Sequence, residues 1–216
     1  MNDEMEVKQA YQVWSKIYDS NENATRDLDA ECLKQTGLPL EDSHILELGA
    51  GSGKNTQYLA SKAKHVTAMD FSAAMLDLAR DKVRQPHVDF IEKDITRPWP
   101  IKPASMDGIV SNLVLEHIAD LHPVFQSCHR ALKPGGWLYL SELHPLRQLK
   151  GSQARFETEG KMNFVTAHLH FAMDYIKPAL ALGFELIDIQ EAIENGETPT
   201  SDNPPRLLTL TFHRQD

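Results

Sequence analysis

The sequence predicts an α/β protein: a three-layer sandwich in which a mostly parallel, seven-stranded sheet lies between helices, with one antiparallel strand near its edge. Three observations predict it. From residue 44 to residue 143, short apolar runs alternate with segments of helical period, the order that builds parallel strands joined by crossover helices. Several runs end on glycine or an acid, punctuation that suits strand ends opening on a crevice. The last two runs, 184–190 and 206–213, are joined by a polar, proline-rich connector at 194–205 rather than by a helix, and such a loop joins antiparallel neighbours more readily than parallel ones.

Each element follows from its own signals. Residues 1–40 precede the first strand and predict two helices, the first carrying Tyr11, Trp14 and Tyr18 at spacings of three and four on one face. Residues 44–49 are a strand ending in glycine, and 53–63 suit a helix. Residues 65–70 are a strand ending in Asp70. Ser72 caps a helix over 72–84, with Met75, Leu76, Ala79 and Val83 on one face. Strands follow at 88–92 and 106–111, then a helix at about 120–132 stopped by Lys133-Pro134-Gly135-Gly136, and a strand at 137–143. Residues 174–183 are helical. Residues 144–172 fall outside this alternation. Within them Val165, Ala167, Leu169 and Phe171 alternate with Thr166, His168 and His170, a period of two that predicts a strand paired with 154–159 across Gly160-Lys161. The reading is one domain: a helical segment at 1–40, a core at 41–143, an inserted hairpin within 144–172, and a C-terminal helix with two strands at 173–216.

Composition narrows the function classes. With 216 residues, 41% hydrophobic and 25% charged, the chain has ordinary globular usage and can bury a core. The net charge of -9 and the absence of a Lys/Arg run argue against a general nucleic-acid surface. Cys32 and Cys128 have no metal-ligand spacing and read as free thiols in a reducing compartment. No apolar stretch reaches the roughly 18 residues of a membrane span, so a soluble, cytoplasmic protein is expected.

The chemistry concentrates in the loop after the first strand. Glu47-Leu48-Gly49-Ala50-Gly51-Ser52-Gly53 joins strand to helix. Its glycines allow a sharp turn and close approach of a ligand, and the helix behind offers free N–H groups. Asp70, ending the next strand, is placed to accept both hydroxyls of a ribose. The dinucleotide pattern G-x-G-x-x-G is incomplete, because its third position is Lys54. A tight turn without a ligand is the alternative, and Asp70 weighs against it.

These residues resemble class I S-adenosylmethionine-dependent methyltransferases, whose fold is Rossmann-like, and the resemblance runs over about residues 40–143 in order. The Glu47–Gly53 segment resembles their first motif, which holds the methionine part of the cofactor. Asp70 resembles the ribose-binding acid, and Asp94-Ile95 the pair that reads adenine. Ser111–His117 is similar to the segment after the fourth strand, and Leu132–Gly136 to the turn before the fifth. The resemblance implies S-adenosylmethionine as cofactor, with S-adenosylhomocysteine as product, and a cofactor site of Tyr18, Glu47, Gly49, Ala50, Gly51, Asp70, Phe71, Met75, Asp94, Ile95, Asn112 and Leu113. Read physically, Asp94 can accept the adenine amino group, with Phe71, Met75 and Ile95 as an apolar slot. Asp94 as a turn cap and Met75 as helix core are the competing readings. Many relatives close the site with an N-terminal helix, which makes residues 1–40 a candidate lid, with Tyr11 and Trp14 facing the substrate.

The methyl acceptor is less legible. The segment from Asn112 departs from the Asn/Asp-Pro-Pro-aromatic motif of enzymes that methylate planar nitrogens, and resembles instead the small-molecule enzymes of quinone and natural-product pathways. A small-molecule acceptor is expected, with no nucleic acid and no membrane, in a monomer or homodimer. His144, directly after the fifth strand, and His117, after the fourth, are candidate bases; the alternative for His144 is a structural, hydrogen-bonded histidine, and for His117 a helix-turn histidine facing the cofactor side. His168, His170 and Arg147 are candidate substrate contacts. Arg147, Lys150 and Arg155 form a basic cluster that suits a carboxylate or phosphate, or a solvated loop face. No metal is assigned. A nicotinamide-dependent oxidoreductase and a non-catalytic S-adenosylmethionine-binding module are the alternatives.

Overall fold

The computed structural model describes residues 4–15, 17–20, 22–158 and 160–216. Residues 1–3, 16 and 21 of the expected N-terminal segment, and 159 of the expected hairpin, lie outside the described residues. The elements are β1 (Glu4–Met5), α1 (Val7–Trp14), α2 (Ala24–Gln35), β2 (His44–Leu48), α3 (Lys54–Ala60), β3 (His65–Asp70), α4 (Ala73–Lys82), β4 (Val88–Glu92), β5 (Met106–Asn112), α5 (His122–Ala131), β6 (Leu132–Leu143), α6 (Pro145–Leu149), β7 (Arg155–Thr158), β8 (Lys161–Val165), α7 (Ala172–Ala181), β9 (Phe184–Ala192) and β10 (Leu207–Arg214).

Seven strands form one sheet in the order β4-β3-β2-β5-β6-β10-β9. The pairs from β4 to β6 are parallel, and β10 runs antiparallel to both β6 and β9. Neighbouring residues of a strand point to opposite faces, and here both faces are covered. Leu46, Ile109 and Leu138 enter one core with Phe125 of α5 and Ala179 of α7. Ile45, Val110 and Tyr139 enter the other with Leu33, Leu59 and Leu76 of the helices α2, α3 and α4. Burial on both faces is why these strands read in sequence as continuous apolar runs rather than alternating ones.

α4 matches its sequence signals closely. Ser72 Oγ accepts a hydrogen bond from Met75 N at 3.4 Å, and Met75, Leu76 and Ala79 are buried. The insert departs from expectation. The hairpin is there, but β7 pairs with β8 at 161–165, and β1 adds a third, parallel strand beside β8. Residues 166–171 carry the alternation without being a strand. They are fastened instead to the segment after β5: His168 N donates to Glu116 O at 2.6 Å and His170 Nε2 to Ile118 O at 2.8 Å. Burial does not follow the alternation: Val165 and His170 are buried, Leu169 and Phe171 exposed. Among the described residues no helix is long and apolar enough to cross a membrane.

Candidate active site

The carboxyl ends of β2 to β6 open on a cavity of about 1180 Å³. Pockets for one small ligand run to roughly 300–1,000 Å³, so this one has room for a nucleoside-sized group and a second molecule. Crevices at strand carboxyl ends are where open α/β sheets bind ligands.

The glycine loop forms its floor. Gly49 turns with φ +72°, and an added Cβ would stand 2.1 Å from Val114 Cγ2. Gly49 N and Ala50 N both donate to Met69 O, at 2.8 and 3.0 Å, which ties the loop to β3. A Cβ on Gly51 would meet nothing within 4 Å, so the loop stands beside open space. Asp70 is buried and shapes this floor directly: Oδ2 accepts from Gly51 N at 2.9 Å and Oδ1 from Ser72 N at 2.8 Å. A carboxylate has about four acceptor positions, so these two donors do not exhaust its capacity for a ligand hydroxyl. Burial raises the Asp70 carboxyl above the usual range, against the opposing pull of its backbone donors.

Tyr11, Trp14, Tyr18, Phe71, Asp94, Ile95, Asn112, Leu113 and His117 also line the cavity, together with Glu47, Gly49, Ala50, Gly51 and Asp70. Asp94 lies at the far wall while its Oδ1 accepts from Thr96 N at 2.9 Å, so it caps a turn as well. Tyr11 is the hub of an aromatic wall, with its ring 5.6 Å from Trp14, 6.1 Å from Phe71 and 5.6 Å from His117. Tyr18 follows the end of α1 and lies under Arg26, whose guanidinium carbon is 4.0 Å from the ring centroid. His117 Nδ1 is 2.7 Å from Thr166 O and its Nε2 is 3.1 Å from the Tyr11 hydroxyl. A carbonyl only accepts, so Nδ1 carries the proton and Nε2 is the acceptor toward Tyr11.

Several candidates stand elsewhere. Met75 is fully buried in the packed face of α4 and does not line the cavity. His144 is consumed structurally: Nδ1 accepts from Leu146 N at 3.2 Å, capping α6, and Nε2 lies 3.1 Å from Glu191 Oε1. Arg147 is turned to Asn203 Oδ1 at 2.6 Å and to Glu194 at 3.7 Å. His168 and His170 hold the 166–171 segment in place and do not line the main cavity. Of the basic cluster, Lys150 and Arg155 line the cavity and Arg147 does not.

Sequence reasoning missed three buried acids. Asp29 of α2 accepts from Asn112 Nδ2 at 2.7 Å and Asn55 Nδ2 at 3.0 Å, and burial raises its carboxyl. It orients the Asn112 amide and leaves Asn112 Oδ1 as a buried acceptor without a hydrogen bond. The signal was an acid four residues before Leu33, on the apolar face of its helix. Glu142 accepts from Leu115 N at 2.9 Å and from Val114 N at 3.2 Å, rigidifying the segment that carries His117. Burial and the neighbouring Glu116 carboxylate hold its carboxyl well above the usual range. Its signal was an acid inside an apolar strand. Glu116 itself is buried beside His117 and accepts from Gln148 Nε2 at 3.0 Å.

Glu47 yields a pH prediction. Its Oε2 accepts from Thr56 Oγ1 at 2.6 Å, but burial outweighs that bond and pushes its carboxyl up to about 8. The unfolded chain releases the same proton near about pH 4.3. Between these values the folded state holds a proton that the unfolded state lacks, so stability falls as pH rises through the window. Glu47→Gln removes the titration. In thermal denaturation of the ligand-free protein, the variant should gain several °C on the wild type at about pH 8.5 and match it near about pH 5. A constant difference across that range would contradict the assignment.

The fold is that of solved S-adenosylmethionine-dependent methyltransferases. Residues 46–140 match the family model described as a methyltransferase domain. The chain is 33% identical over 143 residues to the biotin biosynthesis bifunctional protein BioHC of Cellvibrio japonicus, covering 66% of this chain and 28% of that one. It is 30% identical over 145 residues to the ubiquinone biosynthesis O-methyltransferase of Xylella fastidiosa, covering 66% of this chain and 58% of that one. The chain thus spans less than two thirds of the length of these relatives. Its fold is similar to the crystal structure of an S-adenosylmethionine-dependent methyltransferase from Mesorhizobium loti, with a TM-score of 0.70, 20% identity, and coverage of 87% of this chain and 99% of the other.

Proposed function

We propose that the chain transfers the methyl group of S-adenosylmethionine to a small-molecule acceptor held under the N-terminal helix α1. The observation that carries this is a single cavity lined both by the glycine loop and Asp70 and by His117, Phe156 and Met162. The residues fit the cofactor. Asp70 has acceptor positions to spare for ribose hydroxyls. Asp94 and Ile95 stand where an adenine edge needs an acceptor and an apolar face. The open space beside Gly51 and the unpartnered Asn112 Oδ1 suit the polar methionine end. The cofactor supplies a methyl group already activated by the positive sulfur. The chain therefore has to align the acceptor, exclude water and, for a protic acceptor, take a proton.

Tyr11 and His117 serve the last two needs. The Tyr11 hydroxyl reaches from α1 onto His117 Nε2, and the Thr166 carbonyl fixes the other ring nitrogen, so a proton leaving the acceptor passes to His117 through the Tyr11 hydroxyl, which takes it up as it gives its own to Nε2. Burial first, with nearby anionic groups, holds the Tyr11 hydroxyl well above its ordinary range, so it serves as a neutral donor. A relative named as an O-methyltransferase makes oxygen acceptors the first class to screen, beginning with phenolic and small anionic compounds. In that screen, S-adenosylhomocysteine release should depend on the acceptor. His117→Ala should lower turnover by about 100-fold, the usual range for losing a general base, while binding S-adenosylhomocysteine within a few-fold of wild type. Full turnover by the variant would remove His117 from this role, and no acceptor-dependent release by wild type would count against the transferase reading.

A further inference from the structure

The N-terminal segment and the hairpin are distant in sequence yet share a core of their own. Ala10 and Trp14 of α1, Phe156 of β7 and Val165 of β8 are each 3% exposed or less and pack together, apart from the two cores of the main sheet. The Trp14 ring stacks on Phe156 with centroids 5.0 Å apart and planes 15° apart. Backbone pairing adds to the side-chain contact: β1 runs parallel to β8, with Glu4 opposite Phe164 and Met5 opposite Val165. The two segments also face the cavity together, Tyr11 and Trp14 from the helix and Arg155 and Phe156 from the hairpin. Both are latched to the same point of the sheet, since His117 bonds Tyr11 through one ring nitrogen and the Thr166 carbonyl, just past β8, through the other.

We infer that α1 and the β7–β8 hairpin form one composite cap, so that cofactor binding beneath α1 also assembles the wall met by the acceptor, with Phe156 as a positioning residue for the cofactor. The two segments cannot part without exposing Trp14 and Phe156 to water. A ligand that binds only the closed helix therefore also stabilises the closed hairpin, and the coupling is reciprocal. The consequence is cooperative binding, in which cofactor and acceptor each strengthen the other. The inference rests on the reading that S-adenosylmethionine binds under α1.

The test is hydrogen exchange on the full chain with S-adenosylhomocysteine as probe, paired with its affinity for Phe156→Ala and Phe156→Leu. Saturating probe should slow amide exchange by about tenfold or more both in residues 7–14 and in residues 155–165. Phe156→Ala should weaken probe binding by about tenfold, with Phe156→Leu in between, reflecting loss of the stacked pair. Slowing confined to residues 7–14, or wild-type affinity in Phe156→Ala, overturns the composite cap and leaves the cofactor reading intact. Failure of the folded wild-type chain to bind the probe at all overturns both. The exchange measurement uses the unsubstituted protein, so it decides the matter even where a Phe156 variant folds poorly.

Discussion

Asp70→Ala should lower affinity for S-adenosylhomocysteine by about 100-fold or more. Hydrogen bonds to a charged group contribute about 1.5–3 kcal/mol each, and a ribose offers two hydroxyls, so 100-fold is the lower end of the expected loss. The side chain also accepts from Gly51 N and Ser72 N, and its removal leaves two donors of the loop and the α4 cap without partners. Asp70→Asn keeps one acceptor and should fall between wild type and alanine. Titration calorimetry gives the affinities, and thermal melts show that the variants are folded. An alanine variant that binds within threefold of wild type would mean that Asp70 organises the loop without touching the ligand.

Gly49→Ala should be the most damaging single methyl group near the site. At φ +72° a side chain is strained, and the new Cβ would lie 2.1 Å from Val114 Cγ2. Strain at such a backbone position costs about 1–3 kcal/mol, and forcing extra volume into a packed site adds about 1–3 kcal/mol. The loop cannot swing aside, because Gly49 N and Ala50 N are both tied to Met69 O. At about 2–4 °C per kcal/mol for a chain of this size, the melting temperature should fall by about 10 °C, with cofactor affinity lost at assay temperature. Gly51→Ala is the informative contrast. Its Cβ meets nothing within 4 Å, so the melting temperature should drop less while ligand affinity still suffers. Equal melting temperatures for wild type and Gly49→Ala would contradict the packing described for this turn.

The sheet was legible because its strands are buried on both faces, which writes each one as an apolar run, and because Ser72 marks the start of α4; the expected stop at Lys133–Gly136 instead falls within β6, which begins at Leu132. The cofactor end was legible because a glycine loop and an acid at the next strand end are local signals. Residues 166–171 misled because a period of two reports alternating environments, not a strand partner, and their partner is the backbone of Glu116 and Ile118. His144 stands at a strand end, where a base would serve, but its ring is used by α6 and Glu191. Met75 sits one turn into α4, where the same spacing serves core and cofactor, and packing took it. Asp29, β1 and the Trp14–Phe156 stack depend on contacts between distant segments, and no local pattern carries those.

The central claim, that the glycine loop and Asp70 form an S-adenosylmethionine site, is tested most directly by calorimetric titration of the wild-type chain with S-adenosylhomocysteine, with NAD in parallel. Micromolar binding of S-adenosylhomocysteine with no heat from NAD is the predicted result. Binding of NAD with silence from S-adenosylhomocysteine, in protein shown by its melting transition to be folded, would contradict it and would make the cavity a nicotinamide site.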